Sequence, residues 1–386
     1  MDLAGAFGDI GVLFPIAIAL ITLNHLNPTA VFLAAGLTYI LAGWYFRMPI
    51  AVQPFKAVAA IALASGLAPS AIASAGLLMG VLLALIALTN TATWLAKLFT
   101  LPIVRGIQLG LGLLLAREGL RLILGHQSTV LFPRGVSVAG WMIAIAAGIL
   151  LLVFRKSERY PAALVLLAAG IAIGLAVEWH AMPQLAWGPL PLSILRPNAA
   201  ELWKVLPLLV IPQFALTFGN SIVATENTAR ILYGEQAQRV TIRALSASIA
   251  IVNFASAVIQ GAPLCHGSGG ITAHYKFGAR TPKSSYIIGA VCVLLALFGR
   301  AAIGVLHVIP VAVLGVFLVY VGIQHAAYLR DILKRTPLVA IAIAVGVVSL
   351  LTTNLMWGFL VGFLLQAALM VYEKTNLQRA SHEGSR

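Results

Sequence analysis

The sequence predicts an all-α integral membrane protein with about fourteen transmembrane segments of about 20 residues each. The first observation is compositional: 61% of the 386 residues are hydrophobic and only 9% are charged, against about 25% charged residues in soluble domains. The second is that apolar runs long enough to cross a bilayer alternate with short polar or proline-containing joints. The third is the abundance of glycine (35) and proline (18), which membrane helices tolerate better than soluble ones.

The net charge of +14 does not indicate a nucleic-acid partner. Such a partner needs basic residues clustered on a soluble face, and here they fall singly or in threes between apolar runs.

The chain begins almost directly in an apolar segment, without a basic leader or a cleavage site, so we expect this segment to be the first span. Cys265 and Cys292 lack metal-ligand spacing and are expected to be free thiols.

The spans form two sets of seven, divided by a joint rich in tryptophan and proline. The expected spans of the first set are about 5–23, 29–46, 50–66, 70–90, 103–124, 136–154 and 161–178. Those of the second set are about 205–224, 241–260, 264–278, 285–303, 305–327, 337–352 and 354–372. This division gives a first repeat (1–180), an extracytoplasmic connector (181–204), a second repeat (205–373) and a cytoplasmic tail (374–386).

Lysine and arginine fall mainly on one side of this topology. Eighteen of the 25 lie on the side of the N-terminus and six lie opposite. By the positive-inside rule both termini are cytoplasmic, and we expect the protein in the inner (plasma) membrane of a bacterium. The remaining basic residue, Lys56, falls within a span, so topology does not explain it.

The third and tenth spans are the least regular. Each opens with non-helical, proline-containing sequence, at 48–54 and at 261–267. Both are third in their set, and because seven is odd the two sets must run in opposite directions, as inverted repeats do. Paired interrupted segments indicate a transporter binding site, where half-helices aim free N–H groups and positive dipole ends at the membrane centre.

Four motifs in these segments carry a family resemblance. They are Phe7-Gly8-Asp9-Ile10-Gly11 with Phe14-Pro15; Pro49-x-x-x-Gln53-Pro54-x-Lys56; Pro212-Gln213 with Asn220-Ser221; and Pro263-x-Cys265-His266-Gly267-x-Gly269-Gly270. Together they resemble the signatures of the prokaryotic and plant molybdate-transporter family, which is related to the sulfate permeases. The resemblance covers nearly the whole chain.

The resemblance implies the fold shared by uracil and sulfate permeases: seven plus seven inverted spans, divided into core and gate domains. It also implies that spans 1, 3, 8 and 10 enclose the substrate, and the related fold often forms homodimers. Many sulfate permeases carry a cytoplasmic regulatory domain after the last span. This chain ends about fourteen residues after that span, so no such domain is expected.

A tetrahedral dianion needs several donors. We expect Gln53, Asn220 and Ser221 to supply neutral ones, and the backbone N–H groups at 54–56 and 267–270, including Gly267, Gly269 and Gly270, to add more. Gln213 and Cys265 belong to the same motifs and are placed at the site. Lys56 is the candidate charge, since intramembrane lysine is rare and functional by default. The alternatives are snorkelling for Lys56 and interhelical hydrogen bonding for the neutral groups.

Import of a dianion against an inside-negative potential costs about 2.3 kcal/mol per charge per 100 mV, so a coupling ion is expected. Asp9 and His266 are the titratable candidates, His266 for substrate or proton contact and Asp9 for coupling or for orienting Lys56. The alternatives are a helix cap for Asp9 and packing for His266. Glu226 is expected to pair with Arg230 at the end of span 8.

The sequence therefore predicts a secondary active transporter that imports molybdate by alternating access, as a symporter of protons or another ion. Sulfate or tungstate transport, a nucleobase permease and an anion channel are the alternatives. An enzyme would need a metal cluster or a nucleophile with its base inside the spans, and the sequence offers neither. No metal and no cofactor is expected; the partners are the oxyanion, the coupling ion and the lipid bilayer.

Overall fold

The computed structural model describes residues 2–89, 91, 100–125, 128–131, 137–154, 157, 162–178 and 187–383. The described first half contains these elements: α1 (Asp2–Ala6), α2 (Ile10–Asn24), α3 (Pro28–Phe46), β1 (Gln53–Pro54), α4 (Lys56–Ser65), α5 (Pro69–Leu88), α6 (Leu101–Leu124), β2 (Val130–Leu131), β3 (Ser137–Val138), α7 (Gly140–Phe154) and α8 (Ala162–Glu178).

The second half contains the remaining helices and one strand: α9 (Ala199–Val205), α10 (Ile211–Leu216), α11 (Ala224–Tyr233), α12 (Ile242–Val258), β4 (Leu264–Cys265), α13 (Ser268–Lys276), α14 (Lys283–Leu297), α15 (Gly299–His307), α16 (Val311–Ala326), α17 (Thr336–Thr352) and α18 (Leu355–Glu383). Strand β1 pairs with β4 and β2 with β3, both antiparallel.

Six helical segments in the described chain are long and apolar enough to cross a membrane, or seven if a bent pair counts as one span. The six are Asp2–Asn24, Pro28–Phe46, Pro69–Leu88, Ala199–Arg239, Val311–Ile332 and Leu355–Tyr372. Five further apolar helices have 10–17 residues. The expected fourteen full spans are therefore not all found, because several of the expected segments form helices shorter than a bilayer is thick.

The first expected span, 5–23, is interrupted. A turn at residues 7–9 separates α1 from α2. At Gly8, a Cβ would lie 2.9 Å from the backbone carbonyl of Ala273, so only glycine permits this close approach to α13. The interruption places Asp9 at the start of α2, inside the protein.

The eighth expected span begins earlier than 205 and is wider than an α-helix in two places. Helix α9 starts at Ala199, where the Asn198 side chain accepts a hydrogen bond from the Ala200 amide (2.9 Å). Two π-helical segments follow, Leu206–Val210 and Thr217–Val223. Such π segments recur at functional sites.

One further expectation is corrected. The eleventh span, expected at 285–303, bends by 84° between α14 and α15. A Cβ on Gly299 would lie 2.0 Å from the Thr29 hydroxyl oxygen, so the chain turns there against α3. Helix α18 continues from the expected last span into the expected cytoplasmic tail and ends at Glu383.

The helices pack in cross-half pairs. Helix α3 packs on α14 and α5 on α12, while α6 packs along α16 and α17. Where α6 crosses α16, a Cβ on Gly112 would lie 2.5 Å from the Gly322 carbonyl oxygen, and one on Gly119 would lie 2.5 Å from that of Gly315. These small residues let the two backbones touch, as is typical of tightly packed membrane helices.

Candidate functional site

The two short half-helices begin side by side. Strand β1 leads into α4 and β4 leads towards α13, and the strands pair in the register Gln53↔Cys265 and Pro54↔Leu264. Asn253 fixes β4 through two hydrogen bonds: its Nδ2 donates to the Leu264 carbonyl (2.7 Å) and its Oδ1 accepts from the Leu264 amide (3.0 Å). The predicted half-helices are confirmed, with 10 and 9 residues.

A cavity of about 450 Å³, here called the central cavity, opens beside these helix starts. Four residues that the sequence analysis placed at the site line it: Asp9, Gln53, Lys56 and Gly269. The other polar residues in its wall are Ser157, Tyr320, Gln324, His325 and Tyr328. The motifs near residues 9, 53 and 269 are thus brought together although they are far apart in the chain.

Asp9 and Gln53 form a buried pair in the wall of the central cavity. Gln53 Nε2 donates to Asp9 Oδ1 at 2.5 Å, and the residues are 1% and 2% exposed. The Asp9 side chain makes no capping hydrogen bond at the start of α2, so the helix-cap alternative is wrong. Asp9 Oδ2 and Gln53 Oε1 have no hydrogen-bond partner within the described chain. The pair therefore keeps unused acceptor oxygens beside the cavity.

Glycines of α13 make room for this pair. A Cβ on Gly270 would lie 2.6 Å from Asp9 Oδ2, and one on Gly267 would lie 2.6 Å from Gln53 Oε1. Gly267 occupies the N-cap position of α13. The positive end of that helix therefore faces an acidic side chain and an amide oxygen, both of which it stabilises.

The start of α4 is capped from within the protein. Gln213 Oε1 accepts from the amides of Ala57 (2.9 Å) and Val58 (3.4 Å), and its Nε2 donates to the Thr217 hydroxyl (3.0 Å). Gln213 is thus a capping residue at the site. The Phe55 amide donates to the Pro263 carbonyl (2.9 Å).

These contacts correct the expected free N–H groups at 54–56. Pro54 has no N–H to offer, and the Phe55 N–H is already bonded to protein. The free N–H donors at this helix start are therefore fewer than expected. The Lys56 ammonium group is the group there that would attract an anion most strongly.

Lys56 is the first residue of α4 and lines two cavities at once. The second, here called the minor pocket, is only about 10 Å³ and is lined by Lys56, Gln108, Gln213, Leu216, Asn220, Ser221, Cys265 and His325. Ion pairs in the described chain are Arg105–Asp331, Arg121–Glu118 and Arg230–Glu226. The last confirms the expected Glu226–Arg230 pair, and Lys56 has no ion-pair partner among the described residues.

The minor pocket collects the predicted residues from the second half. Ser221 and Cys265 are buried, and Asn220 accepts a hydrogen bond from the Ser268 hydroxyl at 2.8 Å. A volume of about 10 Å³ is close to the minimum for one water molecule. In this conformation the pocket is too small for a tetrahedral oxyanion, whereas the central cavity is large enough.

His266 lies apart from both cavities. Its ring is buried, with Nδ1 hydrogen-bonded to the Ala51 carbonyl (2.9 Å) and Nε2 to the Ser248 hydroxyl (3.0 Å). Phe46 packs edge-on against it at 5.8 Å. With both nitrogens engaged by protein groups, the ring holds the segment before α13 in place, which is the packing alternative.

The part of the cavity wall formed by the end of α16 and the residues after it was not predicted from the sequence. His325, at the end of α16, lines both the central cavity and the minor pocket. Nearby, Arg105 donates to Gln108 Oε1 (2.9 Å), pairs with Asp331 and lies 5.3 Å from the Tyr328 ring centre. In the sequence, Arg105 is one of the eighteen basic residues on the side of the N-terminus. A histidine inside an apolar span was the one available sequence signal for His325.

A further cavity, here called the distal cavity, lies at the other end of α4. It has a volume of about 690 Å³, and Ser65, Gly66, Glu118 and Arg121 are among the residues that line it. Helix α4 therefore has one cavity at its first residue, Lys56, and another at its last, Ser65.

Sequence comparison adds the family. Residues 1–115 and 206–324 match the family described as "Molybdate transporter of MFS superfamily". Molybdate transporter 2 of Arabidopsis thaliana is 28% identical over 369 residues, 86% of this chain and 79% of that protein. Molybdate transporter 1 of Chlamydomonas reinhardtii is 28% identical over 483 residues, 96% of this chain and 92% of that protein. A probable sulfate transporter of Mycobacterium tuberculosis is 25% identical over 80% of this chain, which spans 56% of its length.

Two solved structures share the fold of this chain at low sequence identity. The transmembrane domain of the cyanobacterial bicarbonate transporter BicA has a TM-score of 0.69 at 18% identity, covering 94% of this chain and 96% of that one. SLC26A9 has a TM-score of 0.69 at 16% identity over 96% of this chain, which spans 65% of the length of that protein. The likeness to these structures concerns the fold, whereas the family match covers more than half of the sequence. The chain is therefore an integral membrane protein of the molybdate transporter family, with the fold of BicA and SLC26A9.

Proposed function

We propose that this protein is a secondary active transporter that imports molybdate, and that the oxyanion binds in the central cavity. The observation that carries the proposal is the convergence of Asp9, Gln53 and Lys56 where the paired half-helices begin, in a space of about 450 Å³. The names of the plant and algal relatives support molybdate as the substrate.

Lys56 is the cation of the proposed site. It lines the central cavity without an ion-pair partner among the described residues, so a dianion there would meet a positive charge that is not engaged in a direct ion pair. The exposed backbone of Gly269 allows the oxyanion to approach the start of α13 closely. Asn220 and Ser221 are second-half donors that become accessible when the minor pocket widens.

Asp9 is the proposed coupling group. A carboxylate in the wall of an anion site repels the substrate, so binding of the dianion favours the protonated form of Asp9. One proton per molybdate would offset about 2.3 of the 4.6 kcal/mol that two charges cost per 100 mV of opposing potential. The hydrogen bond from Gln53 keeps the carboxyl group at the cavity.

The two cavities at the ends of α4 support alternating access. With both termini in the cytoplasm of the plasma membrane, the central cavity faces the cytoplasm, because Ser157 in its wall belongs to the joint between the sixth and seventh spans. The distal cavity then faces outward. In this inward-facing state α4 separates the two cavities. Transport requires the half-helices to move relative to α6 and α16. The half-helices would then belong to the core domain that the resemblance implies, and α6 and α16 to the gate domain.

Four contacts support the inverted repeat of seven plus seven spans (1–180 and 205–373). The third spans of the two halves meet as the antiparallel pair β1–β4, and the fifth spans meet as α6 and α16. The second span of each half packs on the fourth of the other, α3 on α14 and α12 on α5. A two-fold axis in the membrane plane produces this exchange of partners.

Sulfate is the second candidate substrate. It is also a tetrahedral dianion, and a probable sulfate transporter is among the relatives. Uptake of labelled molybdate into proteoliposomes, competed with sulfate and run with and without an inward pH gradient, tests the proposal. We expect saturable uptake that the gradient stimulates and that sulfate inhibits only weakly; the absence of molybdate uptake would refute the assignment.

A further inference from the structure

His325 lines the central cavity together with residues at the starts of the two half-helices. It lies next to the C-terminal residue of α16, is 6% exposed, and lines both the central cavity and the minor pocket. Lys56 is the other residue that lines both. The two side chains therefore border the same space from different elements, α4 and α16.

His325 differs at Nδ1 from the buried residues His266 and His274, although Nε2 of His274 also has no hydrogen-bond partner among the described residues. Nδ1 of His266 is bonded to the Ala51 carbonyl (2.9 Å) and Nδ1 of His274 to the Gly5 carbonyl (2.7 Å). Nδ1 of His325 is buried and has no hydrogen-bond partner in the part of the chain that the structure describes. Buried polar groups are nearly always paired, so an unpaired one on a residue that lines a cavity indicates a missing ligand.

The charges around His325 indicate which ligand. The titratable and charged groups that line the two cavities with it are Lys56, Asp9, Cys265, Tyr320 and Tyr328. Arg105 lies behind Tyr328, 5.3 Å from the ring centre, and pairs with Asp331. Lys56 has no ion-pair partner among the described residues, and an anion with several oxygens would accept hydrogen bonds from both Lys56 and His325.

We propose that His325 is a direct substrate contact, which donates a hydrogen bond from Nδ1 to one oxygen of the oxyanion while Lys56 binds another. This contact rests on the proposed function and extends it to the wall formed by α16. Helix α16 packs closely against α6, and the two backbones approach each other at Gly112 and Gly322. A bound dianion thus connects the α6–α16 unit to the half-helices, which are the parts that must move relative to each other.

Molybdate binding to the purified full-length protein, measured by calorimetry, tests the contact. H325A is expected to weaken binding about tenfold or more, since a hydrogen bond to a charged group is lost. H325N places an amide donor near the position of Nδ1 and should bind within about threefold of wild type, whereas H325Q places it near Nε2 and should bind about tenfold more weakly than H325N. The control is H25N, at an exposed histidine with φ of 58°, a conformation that asparagine accepts.

The asparagine and glutamine variants keep the test decisive if H325A does not fold. Wild-type affinity in a monodisperse H325A, or equal affinity of H325N and H325Q, would overturn the contact and leave the proposed function standing. If the wild-type protein itself binds no molybdate, the proposed function fails and the contact fails with it.

Discussion

The amide nitrogen Nε2 of Gln53 donates a 2.5 Å hydrogen bond to Oδ1 of Asp9. The two residues belong to different broken segments, the turn before α2 and the strand before α4, and the glycines of α13 close over both. Three interrupted helices therefore share one buried polar contact at the central cavity. The arrangement links a titratable carboxyl group to the half-helix that carries Lys56.

D9N tests the coupling role of the carboxyl group. Asparagine has nearly the same shape but cannot take up a proton, so stimulation of molybdate uptake by an inward pH gradient should be lost. Exchange of labelled for unlabelled molybdate without a gradient should fall by less than about tenfold, because the anion contacts remain. Both rates are measured in the same proteoliposomes. Stimulation equal to that of wild type would show that another group carries the proton.

K56A tests the charge at the start of α4. Loss of the ammonium group should weaken molybdate binding by about tenfold to a hundredfold, or about 1.4 to 2.8 kcal/mol, in a calorimetric titration. The matched control is K276A, which removes the same charge from the exposed end of α13. Equal effects of the two substitutions would mean that only general electrostatic attraction was lost.

Q213A tests the capping of α4. The amides of Ala57 and Val58 would lose their acceptor, and the protein should be destabilised by about 1–2 kcal/mol. The midpoint of thermal unfolding in detergent, followed by intrinsic fluorescence, should fall. Q238A removes an exposed glutamine whose side chain donates to Glu235 (2.5 Å) and should leave the midpoint unchanged. A midpoint for Q213A equal to that of Q238A would contradict the capping role.

G270A tests the fit of α13 against the Asp9–Gln53 pair. The new methyl group would lie 2.4 Å from Ala51 Cβ and 2.6 Å from Asp9 Oδ2, so the pair must shift, at a cost of about 1–3 kcal/mol. Transport should fall with it. The control is G148A, where no described atom beyond the neighbouring residues and backbone of the same helix lies within 4 Å of the added carbon. Uptake and stability equal to those of G148A would show that the glycine serves no close approach.

The broken half-helices could be predicted because prolines and glycines act locally. Pro54 and the glycines at 267–270 interrupt apolar spans, and the structure has short helices that start beside them. Lys56 could also be predicted, since a lone charge in an apolar run is conspicuous. The break at residues 7–9 could not, because it depends on the approach of Gly8 to α13, a contact between distant parts of the chain.

The hydrogen-bond partners of the polar side chains could not be predicted from the sequence either. The position of Gln213 in span 8 does not show that its side chain bonds the amides of Ala57 and Val58. The ring of His266 stands next to the glycine motif and yet points to Ala51 and Ser248. Such pairings are set by the packing of helices from both halves, which no local pattern encodes.

The central claim is that the oxyanion binds between Lys56 and the start of α13. Tungstate carries the same charge and shape as molybdate, and its heavy atom can be located by anomalous diffraction from crystals of the protein–tungstate complex. We predict one tungsten peak in the central cavity, with its oxygens within hydrogen-bond reach of Lys56. A peak in the distal cavity beside Arg121, with none at Lys56, would contradict the account.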